Sequence, residues 1–257
     1  MPRIESYAQG TPSFVDLTTP DQDAAKVFYA DLFGWEYDDQ PLDEGGYYSM
    51  VRKGDGVVAG IGGQLPELAG HPAWWAVYLA TDDVDAAAAS VVEAGGAVDA
   101  GPFDVMRAGR IAAIQDPTGA RVNLWTPGDS IGSEIVNEPG APAWNELVTP
   151  DVDAATRFYS TVLGVGWETR QMNGGDYTCL VAGGKPVGAA LPPSIPGQPP
   201  HWNVYFNVES TDATITRVVE LGGTVLAEPW DVPDVGRLAV VSDPQGATFC
   251  AMQNAED

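Results

Sequence analysis

Apolar residues recur at helical spacing in short segments that each follow an acidic residue. The first segment follows Asp21, and its apolar face comprises Ala25, Phe28, Tyr29, Leu32 and Phe33. The matching face in the second half comprises Ala155, Phe158, Tyr159, Val162 and Leu163. Because residues three and four apart share one side of a helix, each segment predicts an amphipathic helix, and an acidic residue suits its N-terminal dipole. Gly34 and Gly164 stand where these helices would end.

Short runs of β-type residues flank these helices. Runs from Phe14 to Thr18 and from Trp74 to Ala80 each precede a helical segment. Further runs follow the helical segments of the first half: Tyr47 to Arg52, Val57 to Ile61, Arg110 to Gln115 and Arg121 to Trp125. Gly-rich turns separate them. This order predicts β-α-β-β-β modules, two in each half, and an α+β fold class.

The chain is a duplicated unit. Residues 12–34 match residues 142–164 at a constant offset of 130, and residues 102–120 match residues 229–247 at an offset of 127. The join between the copies is rich in Pro, Gly, Ser and Glu, which is typical of a linker. We therefore predict a first copy, a linker and a second copy, with these bounds: 1–128, 129–141 and 142–257.

Acidic residues outnumber basic ones, 36 to 12, giving a formal charge of −24 that is shared almost evenly by the two copies. A chain this acidic, with no Lys/Arg cluster, disfavours nucleic acids and anionic membrane surfaces as partners. The longest apolar run, Trp74 to Ala80, is far shorter than a membrane span, and no secretory signal is visible after Arg3. We expect a cytoplasmic monomer or homodimer that binds a small molecule.

The motifs around the helices resemble those of the vicinal oxygen chelate superfamily, which includes glyoxalases, bleomycin-resistance proteins and extradiol dioxygenases. The resemblance lies in the Phe28-Tyr29 pair before Gly34-Trp35 and in Asp-Pro-x-Gly at Asp116 and again at Asp243. It is similar in particular to two-domain actinobacterial glyoxalase-like proteins, which are often labelled hydroxylases. The resemblance implies tandem glyoxalase-like domains, each of two βαβββ modules whose strands curl into a mixed-sheet cup around a ligand.

Metal-using members of this superfamily take two His and one Glu from strand positions that can be located here. The matching residues are Phe14, Ala76 and Asn123 in the first copy, and Trp144, Asn203 and Cys250 in the second. These residues make poor ligands for the metals concerned. The sequence holds one His in each half, His71 and His201, and both are expected in loops at a domain rim. We therefore predict no metal and no cofactor.

Two carboxylates lie two residues beyond the vacated metal positions. Because strand side chains alternate, Asp16 should face the same side as Phe14, and Glu146 the same side as Trp144. One interpretation makes them general bases whose pKa is raised by an apolar cup. The other pairs them with Arg110 and Arg237 as buried ion pairs. The sequence leaves both open.

Other residues expected to face the cups are aromatic or neutral polar, which suits a flat organic ligand. With the two arginines, the candidate ligand-binding residues are Phe14, Tyr78, Arg110, Asn123, Trp125, Trp144, His201, Asn203, Tyr205, Arg237 and Cys250. Ordinary core packing is the alternative for each. The favoured hypothesis is a metal-free protein that binds a neutral or cationic organic molecule. The alternative is a glyoxalase-like or hydroxylase-like enzyme, namely an isomerase, lyase or tailoring enzyme, that uses Asp16 or Glu146 as a general base.

Overall fold

The computed structural model describes residues 3–42, 45–172 and 175–255, and it shows two domains of the same topology. The first contains β1 (Pro12–Thr19), α1 (Gln22–Phe33), β2 (Glu36–Pro41), β3 (Tyr47–Lys53), β4 (Gly56–Gly63), β5 (Trp74–Ala80), α2 (Val84–Glu93), β6 (Ala97–Val105), β7 (Gly109–Gln115) and β8 (Arg121–Pro127). The second contains β9 (Pro142–Val148), α3 (Val152–Leu163), β10 (Gly166–Met172), β11 (Gly175–Ala182), β12 (Lys185–Leu191), β13 (His201–Asn207), α4 (Thr211–Glu220), β14 (Thr224–Val232), β15 (Gly236–Ser242) and β16 (Thr248–Asn254).

Each domain is built on one mixed sheet of eight strands. The strand order is β2-β3-β4-β1-β5-β8-β7-β6 in the first domain, and β10-β11-β12-β9-β13-β16-β15-β14 in the second. The central strands β1 and β5 are antiparallel to each other, and each is parallel to the last strand of its own module. The predicted α+β class and the tandem βαβββ modules are confirmed.

The helices begin and end where the sequence predicted. The side chain of Asp21 caps α1 by accepting a hydrogen bond from the backbone N–H of Ala24 at 3.0 Å, and Asp151 caps α3 in the same way at 2.8 Å. Gly34 follows α1 with φ of 71°, a left-handed conformation that glycine adopts without a steric cost. The repeated acidic and glycine positions therefore fix both ends of each long helix.

The two domains share one apolar core. Buried residues of α1 and of the second sheet belong to a single cluster, in which the rings of Phe33 and Phe206 lie 5.3 Å apart. Two matching hydrogen bonds cross the interface, because the hydroxyl of Tyr29 donates to Asp243 at 3.0 Å and that of Tyr159 donates to Asp116 at 3.1 Å. The tyrosine of each copy's Phe-Tyr pair thus binds the aspartate of the other copy's Asp-Pro-x-Gly motif at the domain interface.

The predicted linker is packed against the first domain. The hydroxyl of Ser133 donates to the carbonyl of Val58 at 2.7 Å, and the backbone N–H of Glu134 donates to Val57 at 2.7 Å. Its exact bounds stay a prediction. Among the described helices, none is both long enough and apolar enough to cross a membrane.

The two faces of each sheet have different surroundings. Val15, Leu17 and Val77 are buried in the shared core with the helices. Their neighbours along the same strands, Phe14 and Asp16, point to the other face because strand side chains alternate. We call this other face the cup: the first cup is the face of Phe14 and Asp16, and the second cup is the matching face of Trp144 and Glu146. Both lie away from the core.

Candidate ligand site in the two cups

Pairing of the central strands brings the first cup together. Phe14 lies opposite Tyr78 across β1 and β5, and Tyr78 lies beside Asn123 across β5 and β8. The rings of Phe14 and Tyr78 pack edge to face at 5.5 Å, and those of Tyr78 and Trp125 at 6.2 Å. The aromatic residues predicted for this face therefore form a continuous wall beside Asp16.

Asp16 lies at the centre of the first cup and is held by two tyrosines. The hydroxyl of Tyr78 donates to Asp16 Oδ2 at 2.7 Å, and that of Tyr48 donates to the same oxygen at 3.2 Å. Tyr48 reaches across β4 from β3, and it passes over Gly60, where a Cβ atom would lie 1.8 Å from the Tyr48 hydroxyl. A glycine at this position is what allows the ring to reach Asp16.

The carboxyl of Asp16 is easier to protonate than an ordinary aspartate. Burial raises its pKa to about 6, and the two tyrosine hydroxyls oppose that rise only in part. The pKa of Tyr78 and that of Tyr48 are also raised well above their ordinary value, first by burial and then by the nearby Asp16 charge. The tyrosines therefore act as neutral donors at physiological pH.

The second cup repeats the arrangement with a glutamate. Glu146 accepts hydrogen bonds from Tyr177 on Oε1 and from Tyr205 on Oε2. The indole N–H of Trp144 donates to the Tyr177 hydroxyl at 2.8 Å. Burial raises the pKa of Glu146, and both tyrosine bonds work against that rise. A carboxylate with two tyrosine donors is therefore common to both copies.

The two arginines do not lie in the cups. Arg110 bonds Asp85 at 2.8 Å and Asp104 at 2.9 Å, and Asp85 is in the first turn of α2. Arg237 repeats this with the matching carboxylates Asp212 and Asp231. The interpretation that paired these arginines with Asp16 and Glu146 is wrong. The arginines recur because they tie a helix to an edge hairpin on the opposite face of the sheet.

His201 and Asn203 lie on the cup face of β13. Asn203 is paired with Glu146 across the two strands. His201 Nδ1 lies 2.8 Å from the carbonyl oxygen of Pro199, and its Nε2 lies 3.0 Å from Asn203 Oδ1. His201 begins a strand, whereas a loop was predicted. The second cup therefore has polar groups where the first has Trp74 and Ala76.

Cys250 and Asn123 occupy matching places beside the second tyrosine of each cup. The amide of Asn123 bonds the Tyr78 hydroxyl, and the thiol of Cys250 lies against Tyr205. Burial raises the pKa of Cys250 to about 12, so its thiol is protonated. It packs with Tyr205, Leu238 and Met252 in a small apolar cluster.

The residues present do not fit the metal that the superfamily implies. Phe14 and Ala76 have no donor atom at all, and Asn123 offers only a neutral amide. In the second cup the thiol of Cys250 stays protonated, and Trp144 offers no lone pair. Within the described part of the chain, no group of three or more His, Cys, Asp or Glu side chains could hold a metal ion.

The second tyrosine bound to each carboxylate is not predicted by the pattern of the sequence. Tyr48 and Tyr177 lie on β3 and β11, two strands away from the carboxylates they bind. The repeat offers a signal for them, because Tyr48 and Tyr177 occupy matching positions in the two copies at an offset of 129. Alternation along one strand does not show that a ring crosses an intervening strand.

The comparisons with known proteins agree with this fold. A family model described as the Glyoxalase/Bleomycin resistance protein/Dioxygenase superfamily matches residues 11–124, and one described as a Glyoxalase-like domain matches residues 145–252. CFP32 of Mycobacterium tuberculosis, whose name carries a provisional glyoxylase assignment, is 47% identical over 99% of each chain. The anthracycline biosynthesis protein DnrV of Streptomyces peucetius is 38% identical over 97% of this chain and 95% of its own length.

Solved structures give the same architecture at low identity. The Mn(II)-bound glyoxalase from Novosphingobium aromaticivorans is 19% identical with a TM-score of 0.66, over 97% of this chain and 84% of that one. The 2,3-dioxygenase LapB from Pseudomonas sp. KL28 is 15% identical with a TM-score of 0.65, over 97% and 94%. These likenesses show the fold. With the family matches, they lead to one conclusion: the chain belongs to the glyoxalase/bleomycin resistance protein/dioxygenase superfamily, as a tandem of two glyoxalase-like domains.

Proposed function

We propose that the protein binds a small aromatic or carbonyl-bearing organic molecule in its cups without a metal ion. One observation carries this proposal: each cup centre holds a carboxylate bound by two tyrosines, Asp16 in the first and Glu146 in the second. The family resemblance implies metal ligands at strand positions in the cups, but residues such as Phe14 and Trp144 occupy those positions here. Tyrosine hydroxyls and aromatic walls instead suit an uncharged or cationic organic ligand.

Charge and relatedness support the same ligand class. The net charge of −24 disfavours anionic ligands, and the arginines that would offset it bond carboxylates on the other sheet face. The relative DnrV is named for anthracycline biosynthesis. Anthracyclines are flat, carbonyl-bearing aromatic compounds, so they match the lining of the cups. We also propose a cytoplasmic location, a monomer or homodimer, and no nucleic-acid partner.

A titration with daunorubicin, a fluorescent anthracycline, tests this proposal. We expect its fluorescence anisotropy to rise on binding, with the same dissociation constant in the presence and absence of EDTA. Native mass spectrometry of freshly purified protein would show whether an organic molecule co-purifies. Binding that EDTA abolishes and Mn(II) or Fe(II) restores would overturn the metal-independent proposal. Absence of binding to daunorubicin together with absence of a co-purified molecule would overturn ligand binding itself.

A second candidate function is proton transfer by Asp16. Its pKa of about 6 lies close to physiological pH, which suits a general base. Incubation of the bound ligand in D2O, followed by mass spectrometry, tests this candidate. We expect deuterium at a carbon next to a carbonyl, and at least about a hundredfold slower incorporation in Asp16→Asn, as for the loss of a general base. Equal incorporation by the variant would contradict it.

A further inference from the structure

The two cups differ in how their carboxylates are satisfied. Both tyrosines of the first cup donate to the same oxygen of Asp16, Oδ2. No described residue donates a hydrogen bond to Oδ1. In the second cup each oxygen of Glu146 accepts one tyrosine, and Glu146 is only 8% exposed. One acceptor atom is therefore left open in the first cup, whereas its counterpart has both oxygens engaged.

The two cups also differ in the length of the carboxylate side chain and in the residue paired with it. Asp16 is paired with Gly60 across β1 and β4, and Glu146 is paired with Ala189 at the same place in the second sheet. Gly60 lets the Tyr48 ring lie over β4 and close to Asp16 Oδ2. The longer Glu146 instead extends between its two tyrosines. The two cups therefore present different surfaces to a ligand.

The walls of the first cup suit a cation. The ring of Tyr78 packs against Phe14 and Trp125, and its hydroxyl donates a hydrogen bond to Asp16. Aromatic faces attract ammonium groups, and a carboxylate among them adds a charge-assisted hydrogen bond. Among the described residues, no Lys, Arg or His forms an ion pair with Asp16, and Arg110 is engaged on the other face. The charge of Asp16 is thus left for a ligand to neutralise.

The geometry points to the first cup as the binding site for a protonated amine attached to an aromatic ring, with Asp16 Oδ1 as the acceptor. The second cup does not share this preference. The inference rests on the proposed function, because it requires that the cups bind aromatic ligands, and it adds the chemical class and the cup that selects it.

A matched pair of probes tests the inference: 1-naphthylmethylamine, which is cationic at pH 8, and 1-naphthylmethanol, which has the same ring without the charge. Binding is followed by NMR at the indole N–H groups of Trp125 in the first cup and Trp144 in the second, identified with Trp→Phe variants. Asp16→Asn removes the proposed acceptor. Glu146→Gln is the control, because it removes one negative charge from the matching position of the second cup. Both variants therefore reduce the general attraction of the acidic protein for a cation by the same amount.

We expect the amine to bind at least about tenfold more tightly than the alcohol, as a charge-assisted hydrogen bond allows, and to shift Trp125 first. Asp16→Asn should bring the amine to the affinity of the alcohol, while Glu146→Gln should leave the preference intact. Equal binding of both probes by the unchanged protein, or an equal loss in the two variants, would overturn the inference and leave the proposed function standing. Binding of neither probe would overturn the inference, and the daunorubicin titration would then decide the proposed function separately.

Discussion

The surroundings of Asp16 in the first cup make its carboxyl easier to protonate than an ordinary aspartate. Its carboxylate lies among aromatic rings with two tyrosine donors, and burial raises its pKa to about 6. In an unfolded chain the same group titrates near 3.8. The folded protein therefore binds a proton more tightly than the unfolded chain between these two values. Because the folded pKa is raised, the cost of the ionised form appears as pH rises from about 4 and is complete above about 6.

Replacing Asp16 by Asn should stabilise the protein at neutral pH. The amide keeps the shape and removes a partly buried charge, so the free energy of unfolding should rise by up to ~3 kcal/mol at pH 8, the value of a shift of this size. At pH 5 the gain should fall to about half, since folded Asp16 is then mostly protonated. Urea unfolding at both pH values measures this. A gain that does not change with pH would contradict the raised pKa.

The sequence located most of the cup residues but not their partners. Alternation along β1 placed Phe14 and Asp16 on one face, and the pairing of β1 with β5 brings Tyr78 beside them. The contact of Tyr48 with Asp16 could not be predicted, because it crosses β4 and therefore depends on the strand order of the sheet. Arg110 was assigned to the wrong face because recurrence in both copies shows that a residue is used twice without showing where it points.

At the scale of elements, strands with alternating burial could be predicted and edge strands could not. β5 follows its run Trp74–Ala80, because every second residue enters the core. β2 and β6 were not located: the sequence of β2 (Glu36–Pro41) contains three acidic residues and a proline, and it is mostly exposed. An edge strand packs against little, so it carries no apolar period. The long helices α1 and α3 were predictable because an aspartate caps each N-terminus and a glycine follows each C-terminus.

The helix contacts between domains make a testable contribution to stability. The hydroxyl of Tyr29 on α1 accepts a hydrogen bond from the indole N–H of Trp75 and donates one to the buried Asp243. The hydroxyl of Tyr159 on α3 donates the matching bond to Asp116. Tyr29→Phe or Tyr159→Phe should each lower the free energy of unfolding by about 2 kcal/mol, because a buried carboxylate loses a donor and an indole loses its acceptor.

Urea unfolding compares these variants with Tyr47→Phe, whose hydroxyl bonds Asp23 at the surface. That control should change stability by less than about 0.5 kcal/mol. If Tyr29→Phe and Tyr159→Phe cost no more than the control, the bonds between the domains are not what holds the two domains together.

At the scale of the molecule, the two copies share one skeleton and differ in the residues of their cups. The helix caps, the bonds between domains and the carboxylate with two tyrosines are common to both copies. The second cup adds His201 and Asn203, where the first has Trp74 and Ala76. The skeleton positions are buried by packing from both domains, whereas the cup positions face away from the shared core. The tandem architecture therefore allows two specificities in one chain.

Measuring the metal content tests the proposal that the cups bind their ligand without a metal ion. The protein, purified without a chelating column, is dialysed against 10 µM Mn(II), Fe(II), Ni(II) or Zn(II) and then against buffer, and its metal is measured by elemental analysis. The positive control is the variant Phe14→His/Ala76→His/Asn123→Glu, which supplies two His and one Glu at the first cup's family positions. We predict about one metal ion per chain in the variant and less than about 0.1 in the unchanged protein. One ion per domain in the unchanged protein would contradict the proposal of metal-free binding.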